Sequence, residues 1–518
     1  MRFGVETVCG LVFVSLAAGL TGGIRAESQV VATEQGKVRG KSINEGKVKA
    51  FLGLPYAAPP VGDLRWRPPQ PPAKWKGDRD ATQFGARCAQ GHVYDDMEFL
   101  DPGESEDCLF LNVYAPAGAK AKGKLPVMFW IHGGGYRAGA SSEPRHGGDF
   151  LPLKGVVLVT INYRLGVFGF LATNDLGKEE TGAAGNYGLL DMVAALRWVN
   201  ANIAEFGGNP DNVTIFGESA GSFAVSTLMA SRLTVGLFHK AIGESGAAFS
   251  GAPPTGSQES KEEKDGAWVA SLGVASTQEL RSWPTEKILE AAKDQKIGGI
   301  PTCVDGKLLT EPVEGTFAAG KQAHVPLLAG WNRDEYPFLS NGMTAKKWTA
   351  YAAEHFNDRA AEFLKLYPGD TDEQAARSSI DYGSDDFIAF ATWSWLDAHR
   401  ETGFSPVYRY HFELPALPSK HHLGTFAFHS DEIEYVFGTL DTRPGEIVRE
   451  EDRKLSEQMM SYWTNFAKTG DPNGPGLPEW PRYGKDDELL HLDSTITSSP
   501  DTLRPRYEFL LRGMPPEL

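Results

Sequence analysis

The chain reads as an α/β protein built on a largely parallel central sheet. Short apolar runs recur along it and are separated by stretches with helical spacing. One of those runs, Val156-Val-Leu-Val-Thr-Ile161, is apolar throughout, as expected of a strand covered on both faces. With 518 residues, 41% hydrophobic and 23% charged, the chain has the make-up of an ordinary globular protein and can bury a large core.

Taken in order, Val30–Val38 and Val48–Leu52 are expected as short strands around a Glu-Gly turn. The stretch from Pro55 to Pro72 is irregular. Leu109–Tyr114, Pro126–Ile131 and Val156–Ile161 read as strands. Leu189–Ile203 has helical spacing through Leu190, Val193, Ala194, Trp198 and Ile203. Val213–Phe216 is expected as a strand, followed by a helix to about Ser231 and a strand over His239–Gly243. Gly251–Gly266 is polar and reads as a surface loop or loose helix. Val325–Gly330 and Pro406–Phe412 are later strands. The residues around 361–395 are helical; Phe387, Phe390, Trp393 and Trp395 there belong to the core or to a cover over a site. Ser456–Lys468 is a final amphipathic helix with Met459, Met460, Trp463 and Phe466 on its apolar face, stopped at Gly470-Asp-Pro472. Length alone suggests about three domains. No low-complexity linker or repeat divides the chain, so residues 27–518 are expected to form one domain.

Residues 1–26 read as a signal peptide. Arg2 precedes the apolar stretch Val8–Leu20, and small residues follow up to Ala26. The competing reading is a buried N-terminal helix. Export would carry the chain to the periplasm or the extracellular medium. Cysteine usage agrees: Cys9 falls in the signal, while Cys88 and Cys108 would close a loop worth about 3 kcal/mol if oxidised. Cys303 is left as a buried thiol. No Cys/His cluster has the spacing of metal ligands, so no metal is expected. The net charge of −16 argues against nucleic acid or an anionic membrane as partner. No internal run is long enough to span a bilayer, and no stable membrane insertion is expected.

The most informative residues are Gly217-Glu218-Ser219-Ala220-Gly221, between an apolar strand and a helix-like stretch. Serine is a nucleophile only when a base takes its proton and its oxygen stands clear of its neighbours. A strand-to-helix turn with small flanking residues gives that exposure. With 58 glycines in 518 residues, about 0.4 chance matches are expected, so the context must decide. Here the context is strand, turn, helix. A second motif, His132-Gly133-Gly134-Gly135-Tyr136, follows the strand ending at Ile131. Acyl transfer builds a negative oxygen that needs N–H donors, and glycines present backbone amides without obstruction. The amides of Gly134, Gly135 and Ala220 would form that oxyanion hole; alone, the glycine run could be a plain loop.

The chain resembles the type-B carboxylesterase/cholinesterase family of α/β-hydrolases. The matching stretches include Ser105–Pro116, His132–Gly135, Asn162–Gly166, Gly185–Asp191, Gly217–Gly221 and Ser461–Gly470. The resemblance implies an α/β-hydrolase fold with a mostly parallel central sheet flanked by helices and helical insertions over an active-site gorge. It implies no cofactor, and a small-molecule ester as partner. Gly330-Trp-Asn-Arg-Asp-Glu335-Tyr336 matches the setting of the family acid, with Tyr336 where glycine is usual. This makes Glu335 the acid and Asp334 its rival. His429-Ser-Asp-Glu-Ile matches the setting of the base; His421 and His422 are an exposed polar pair. The order Ser219, Glu335, His429 is that of α/β-hydrolases. By the same resemblance Glu218 faces the pocket, Ser245 supports the triad, and Arg164–Asp191 and Arg65–Glu106 are ion pairs.

Departures from the family pattern bear on substrate. The loop between Cys88 and Cys108 has no tryptophan to hold a quaternary ammonium, which argues against choline esters. Positions matching pocket walls are Arg137, Phe338 and Leu339. An Arg137 guanidinium facing the pocket would favour an acyl group carrying a carboxylate. Alternatively Arg137 pairs with a local acid such as Glu143 or points outward. The expected activity is a secreted serine carboxylesterase working through an acyl-enzyme on Ser219. The alternatives are a lipase-like hydrolase of neutral esters and a non-catalytic adhesion relative, which typically lacks the nucleophile.

Overall fold

The computed structural model describes residues 29–179, 184–249, 256–293, 302–415, 426–442, 445, 447–484 and 486–513. The signal segment and the His421–His422 pair lie outside them.

Thirteen strands form the main sheet among the described residues. In chain order they are β1 (Gln29–Ala32), β2 (Lys37–Ile43), β3 (Val48–Pro55), β4 (Asp78–Asp80), β5 (Phe110–Pro116), β6 (Leu125–Ile131) and β7 (Val157–Ile161). They continue with β8 (Gly208–Glu218), β9 (Lys240–Glu244), β10 (Leu327–Asn332), β11 (Val407–Phe412), β12 (Glu488–Leu492) and β13 (Thr497–Pro500). The spatial order is β1-β2-β3-β5-β7-β6-β8-β9-β10-β11-β12-β13, with β4 beside β2. From β7 through β12 every neighbouring pair is parallel; the pairs β1–β2, β2–β3, β3–β5, β5–β7 and β12–β13 are antiparallel. This is the α/β-hydrolase architecture, a mostly parallel sheet with helices on both faces.

The parallel strands are hydrophobic because both faces are covered. In β6 and β8, Phe129, Ile131, Val213 and Ile215 point to one face, towards α1 (Tyr187–Asn202) and α2 (Ala220–Ala230). Met128, Trp130 and Phe216 point to the other, against Phe437 and the last long helix. Alternate residues thus enter two different cores, and period-two amphipathicity disappears from the sequence.

Several expectations shift. The strand expected over 30–38 is a hairpin turning at Thr33–Gly36. Of the stretch 251–266, read as a surface loop or loose helix, the part from Gln258 is helical and runs on as α3 (Gln258–Ser271): the Ser257 hydroxyl caps it by accepting from Ser260 N, and Trp268 and Val269 are buried. In the region 361–395, α4 (Asp372–Ser384) runs through one wide π-helical turn, Asp385–Ala389, into α5 (Phe390–Thr402). Phe390, Trp393 and Trp395 are core, whereas Phe387, on the π turn, is exposed. The final helix, α6 (Glu450–Thr469), begins six residues before the apolar periodicity does. Its polar first turn is held by Arg449, whose guanidinium grips Asp452 while Asp452 accepts from Arg449 N. Gly470 ends it in the left-handed conformation.

Both expected ion pairs are present and buried. Arg164 holds Asp191 through Nε and Nη2 at 2.8 and 2.7 Å, and Arg65 Nε meets Glu106 at 2.7 Å. Cys88 and Cys108 are bonded, and Cys303 is a buried free thiol. Closure of the 20-residue loop constrains the unfolded chain. The double substitution Cys88→Ser/Cys108→Ser is therefore expected to lower unfolding stability by about 3 kcal/mol, read from denaturant midpoints. An unchanged midpoint would mean that the bond does not constrain the unfolded chain.

Candidate active site

Strand β8 ends against β6, with Gly217 in register with Ile131. A Cβ on Gly221 would lie 2.0 Å from the Ile131 carbonyl oxygen, and one on Gly217 would lie 2.6 Å from it. Only glycine permits this approach, which bends the chain from β8 into α2 within three residues. Ser219, at the apex, is held at φ +52°, ψ −122°, a strained conformation for serine. Its amide donates to Glu244 O at 2.9 Å and its carbonyl accepts from Phe223 N at 2.9 Å. The elbow is thereby pinned to β9 and to α2.

His429 comes from the segment after β11. Its Nε2 lies 3.0 Å from Ser219 Oγ and its Nδ1 lies 2.5 Å from Glu335 Oε2. Glu335 follows β10, and its other oxygen accepts from Asn332 N at 2.7 Å. The side-chain amide of Asn332 donates to Phe428 O and to Glu432 Oε2, both at 2.6 Å, which ties the acid's turn to the histidine's segment. Asp334, the rival acid, faces elsewhere: it accepts from Ala427 N and pairs with Arg377 and Arg333. Ser245 Oγ reaches Glu432 Oε1 at 3.5 Å. Such a chain can pass the Oγ proton to Nε2 as the oxygen attacks a carbonyl carbon, while the carboxylate keeps the second proton on Nδ1.

Gly133 presses against this turn: a Cβ there would meet Glu218 Oε2 at 2.5 Å and Ser219 Cβ at 3.1 Å. The amides of Gly134, Gly135 and Ala220 have no acceptor among the described residues. Free amides beside a nucleophile are what a developing oxyanion requires. Behind them His132 is buried and stacked on Tyr163, whose hydroxyl donates to His132 O at 2.7 Å. Burial lowers the His132 imidazole to about 4, so it stays neutral and acts as packing.

Buried carboxyls crowd the histidine. Glu218 Oε1 lies 3.2 Å from His429 Nε2. Burial raises Glu218 to about 7 and Glu244 to about 8, and raises Glu432 well above the usual range. Trp463 Nε1 donates to Glu244 at 2.8 Å. For His429, burial favours the neutral ring, but Glu218 and Glu335 outweigh it and raise the imidazole to about 9.

The other sequence-predicted residues separate. Arg137 is half-buried; its amide donates to Gly134 O at 3.0 Å, while its guanidinium makes no ion pair or hydrogen bond among the described residues. Glu143 is instead occupied in accepting from Ala140 N. Phe338, half exposed, packs edge-on against Phe428 and Tyr336. Leu339 turns instead to the cluster around Trp348 and Tyr382. Sequence reasoning passed over several participants. Tyr94 and Met97, in the disulfide-closed loop, stand over Gly135 and Gly134. Phe387, expected as core or as cover over the site, packs edge-on to His429 at 5.3 Å. Asn332 and Glu432 sit inside the motifs already quoted for Glu335 and His429, so their spacing carried the signal; Tyr94 and Met97 had none.

A carboxylesterase-family model matches residues 27–509. The chain belongs to the carboxylesterase family. Among relatives of this carboxylesterase, the fumonisin B1 esterase of Sphingopyxis macrogoltabida is 36% identical, covering 90% of this chain and 86% of the relative. The para-nitrobenzyl esterase of Bacillus subtilis (strain 168) is 37% identical, covering 91% and 96%. A solved thermophilic PNB esterase is 35% identical with a TM-score of 0.80, covering 93% of this chain and all of the other. The chain is a carboxylic-ester hydrolase.

Because Glu218 helps to hold His429 protonated, Glu218→Gln should move the acid limb of kcat/KM to lower pH, by about 1 unit. The sign follows from the base being active only when neutral: with a lower imidazole pKa, that form persists to lower pH. A pH–rate profile measures it, and an unmoved limb would remove Glu218 from the electrostatics of the base.

Proposed function

We propose that this carboxylesterase is an exported enzyme that hydrolyses esters through an acyl-enzyme on Ser219 and favours acyl groups bearing a carboxylate. His429 is the general base, Glu335 holds its tautomer, and the amides of Gly134, Gly135 and Ala220 bind the oxyanion. His429 takes the Ser219 proton and returns it to the leaving alcohol; water then repeats the attack on the acyl-enzyme. The observation that carries this reading is the unbroken contact Glu335–His429–Ser219, at 2.5 and 3.0 Å, beside three amides without acceptors among the described residues. The imidazolium formed during attack sits between Glu335 and Glu218, so both carboxylates favour the transition state.

Substrate preference rests on Arg137. It is two residues beyond Gly135, its guanidinium has no partner among the described residues, and it is near enough to the Tyr94 hydroxyl to oppose the upward push that burial and Glu218 give that group. A guanidinium with no protein carboxylate is free to take one from the substrate, bidentately. Tyr336, Phe338 and Phe387 form an exposed aromatic rim on the His429 side and suit an apolar group at the other end of the ester. Relatives are named for fumonisin B1 and para-nitrobenzyl esters.

A panel of esters graded by acyl charge tests the proposal. Ser219→Ala should lower kcat by about 10⁶-fold on every member. Arg137→Ala should lower kcat/KM on carboxylate-bearing acyl esters by about 10–100-fold and leave neutral esters close to wild type. Equal loss on both classes ends the anionic-acyl reading and leaves a neutral-ester hydrolase.

Export is supported by the Cys88–Cys108 bond and by the family match beginning at residue 27. No helix among the described residues is long and apolar enough to cross a membrane. Residues 27–518 are proposed as one catalytic domain. N-terminal sequencing of the protein recovered outside the cytoplasm should begin near Glu27; an intact Met1 there would refute cleavage.

A further inference from the structure

At the edge of the sheet farthest from the N-terminus, three donors meet that are spread over 80 residues of sequence. His411 and His491 are register partners on the adjacent parallel strands β11 and β12. Partners in register present their side chains to the same face of the sheet. Glu413 lies two residues beyond His411 and returns to that face. Glu413 Oε1 is 2.7 Å from His411 Nδ1 and 2.6 Å from His491 Nδ1. It is the one group of three or more His, Cys, Asp or Glu donors among the described residues whose donor atoms all lie within 4.8 Å of one another. The side chains are 12%, 22% and 25% exposed, so the cluster is sheltered but reachable from solvent.

We propose that His411, Glu413 and His491 bind a divalent transition-metal ion of the zinc class and clasp β12 to β11. Two imidazoles and a carboxylate are a zinc donor set, with a fourth position left for water. In zinc sites these donors stand about 2.0–2.2 Å from the ion, so adjacent ligand atoms are roughly 3.3 Å apart. The present contacts of 2.7 and 2.6 Å need to open by about 0.6–0.7 Å, which side-chain rotation can supply. With the ion on Nδ1, each neutral ring carries its proton on Nε2. For His491 that atom lies 2.8 Å from Ser499 Oγ on β13, which can accept it. A partner on the distal nitrogen fixes the tautomer and aims the ring, as around metal-bound histidines generally.

The site belongs neither to Ser219 nor to the aromatic rim, and its test is independent of ester hydrolysis. Chelator-treated protein is titrated with zinc chloride in a calorimeter at neutral pH, and its thermal midpoint is followed. One equivalent should bind with micromolar or tighter affinity and raise the midpoint, because the ion binds only where both strands are paired. His491→Ala and Glu413→Gln should abolish both effects, and Ser499→Ala should weaken binding by about tenfold. His421 and His422, outside the described residues, are the obvious competing donors: zinc bound there would be lost in His421→Ala/His422→Ala and kept in His491→Ala, which would overturn the proposal. Absence of stoichiometric binding would also overturn it. The wild-type chain gives a readout that needs no variant. Zinc should protect His411 and His491 from diethyl pyrocarbonate, mapped by mass spectrometry, while the exposed His92 and His355 stay reactive; equal reactivity at all four would refute the site.

Discussion

The contact between the Gly217–Gly221 turn and the carbonyl of Ile131 governs the site. Two parallel strands end side by side, and one must turn at once into a helix that packs over its neighbour. With a side chain at either glycine, the turn would have to open and carry Ser219 with it. The same closeness brings the glycine run after Ile131 against Ser219 and Glu218, so the nucleophile and the free amides are positioned by one steric fact. The strain at Ser219 is sustained by the surrounding hydrogen bonds to Glu244 and Phe223.

Around that turn the protein buries more carboxyl groups than it can ionise together. Glu218, Glu244, Glu335 and Glu432 come from four separate segments and are nearly fully buried. Each ionised member raises its neighbours, and each charge left there must be answered by His429 or by amides such as Asn332 and the indole of Trp463. A base flanked on both nitrogens by carboxylates is harder to keep neutral and easier to protonate during attack. In the proposed mechanism Glu218 would therefore trade the acid limb of activity against stabilisation of the imidazolium.

Much of the site was legible because its chemistry needs local motifs. The glycine-flanked serine, the glycine run after a strand, and the short settings of Glu335 and His429 are each set by one turn of chain. Asn332 and Glu432 were within the same motifs, but their role is a contact between motifs, and spacing does not report that. The pocket was less legible. Glu143, the local acid weighed for Arg137, accepts instead from the backbone of Ala140, Leu339 packs away into a helical cluster, and Tyr94 and Met97 reach the glycines from a disulfide-closed loop.

The sequence by itself determined the fold class and singled out Ser219, Glu335 and His429, which the fold brings into contact, because covered strands read as apolar runs and a tight elbow tolerates little but glycine. It also determined, to within one residue, where its strongly periodic helices stop. Tertiary structure alone decided where polar segments went: α3 and the first turn of α6 formed although their sequences show no apolar face. It alone set the register that lays His411 beside His491, 80 residues apart, and the crowding that perturbs Glu218. The physical reason is common to all of these. Charge, burial and coordination depend on distance in space, whereas composition and periodicity report only distance along the chain.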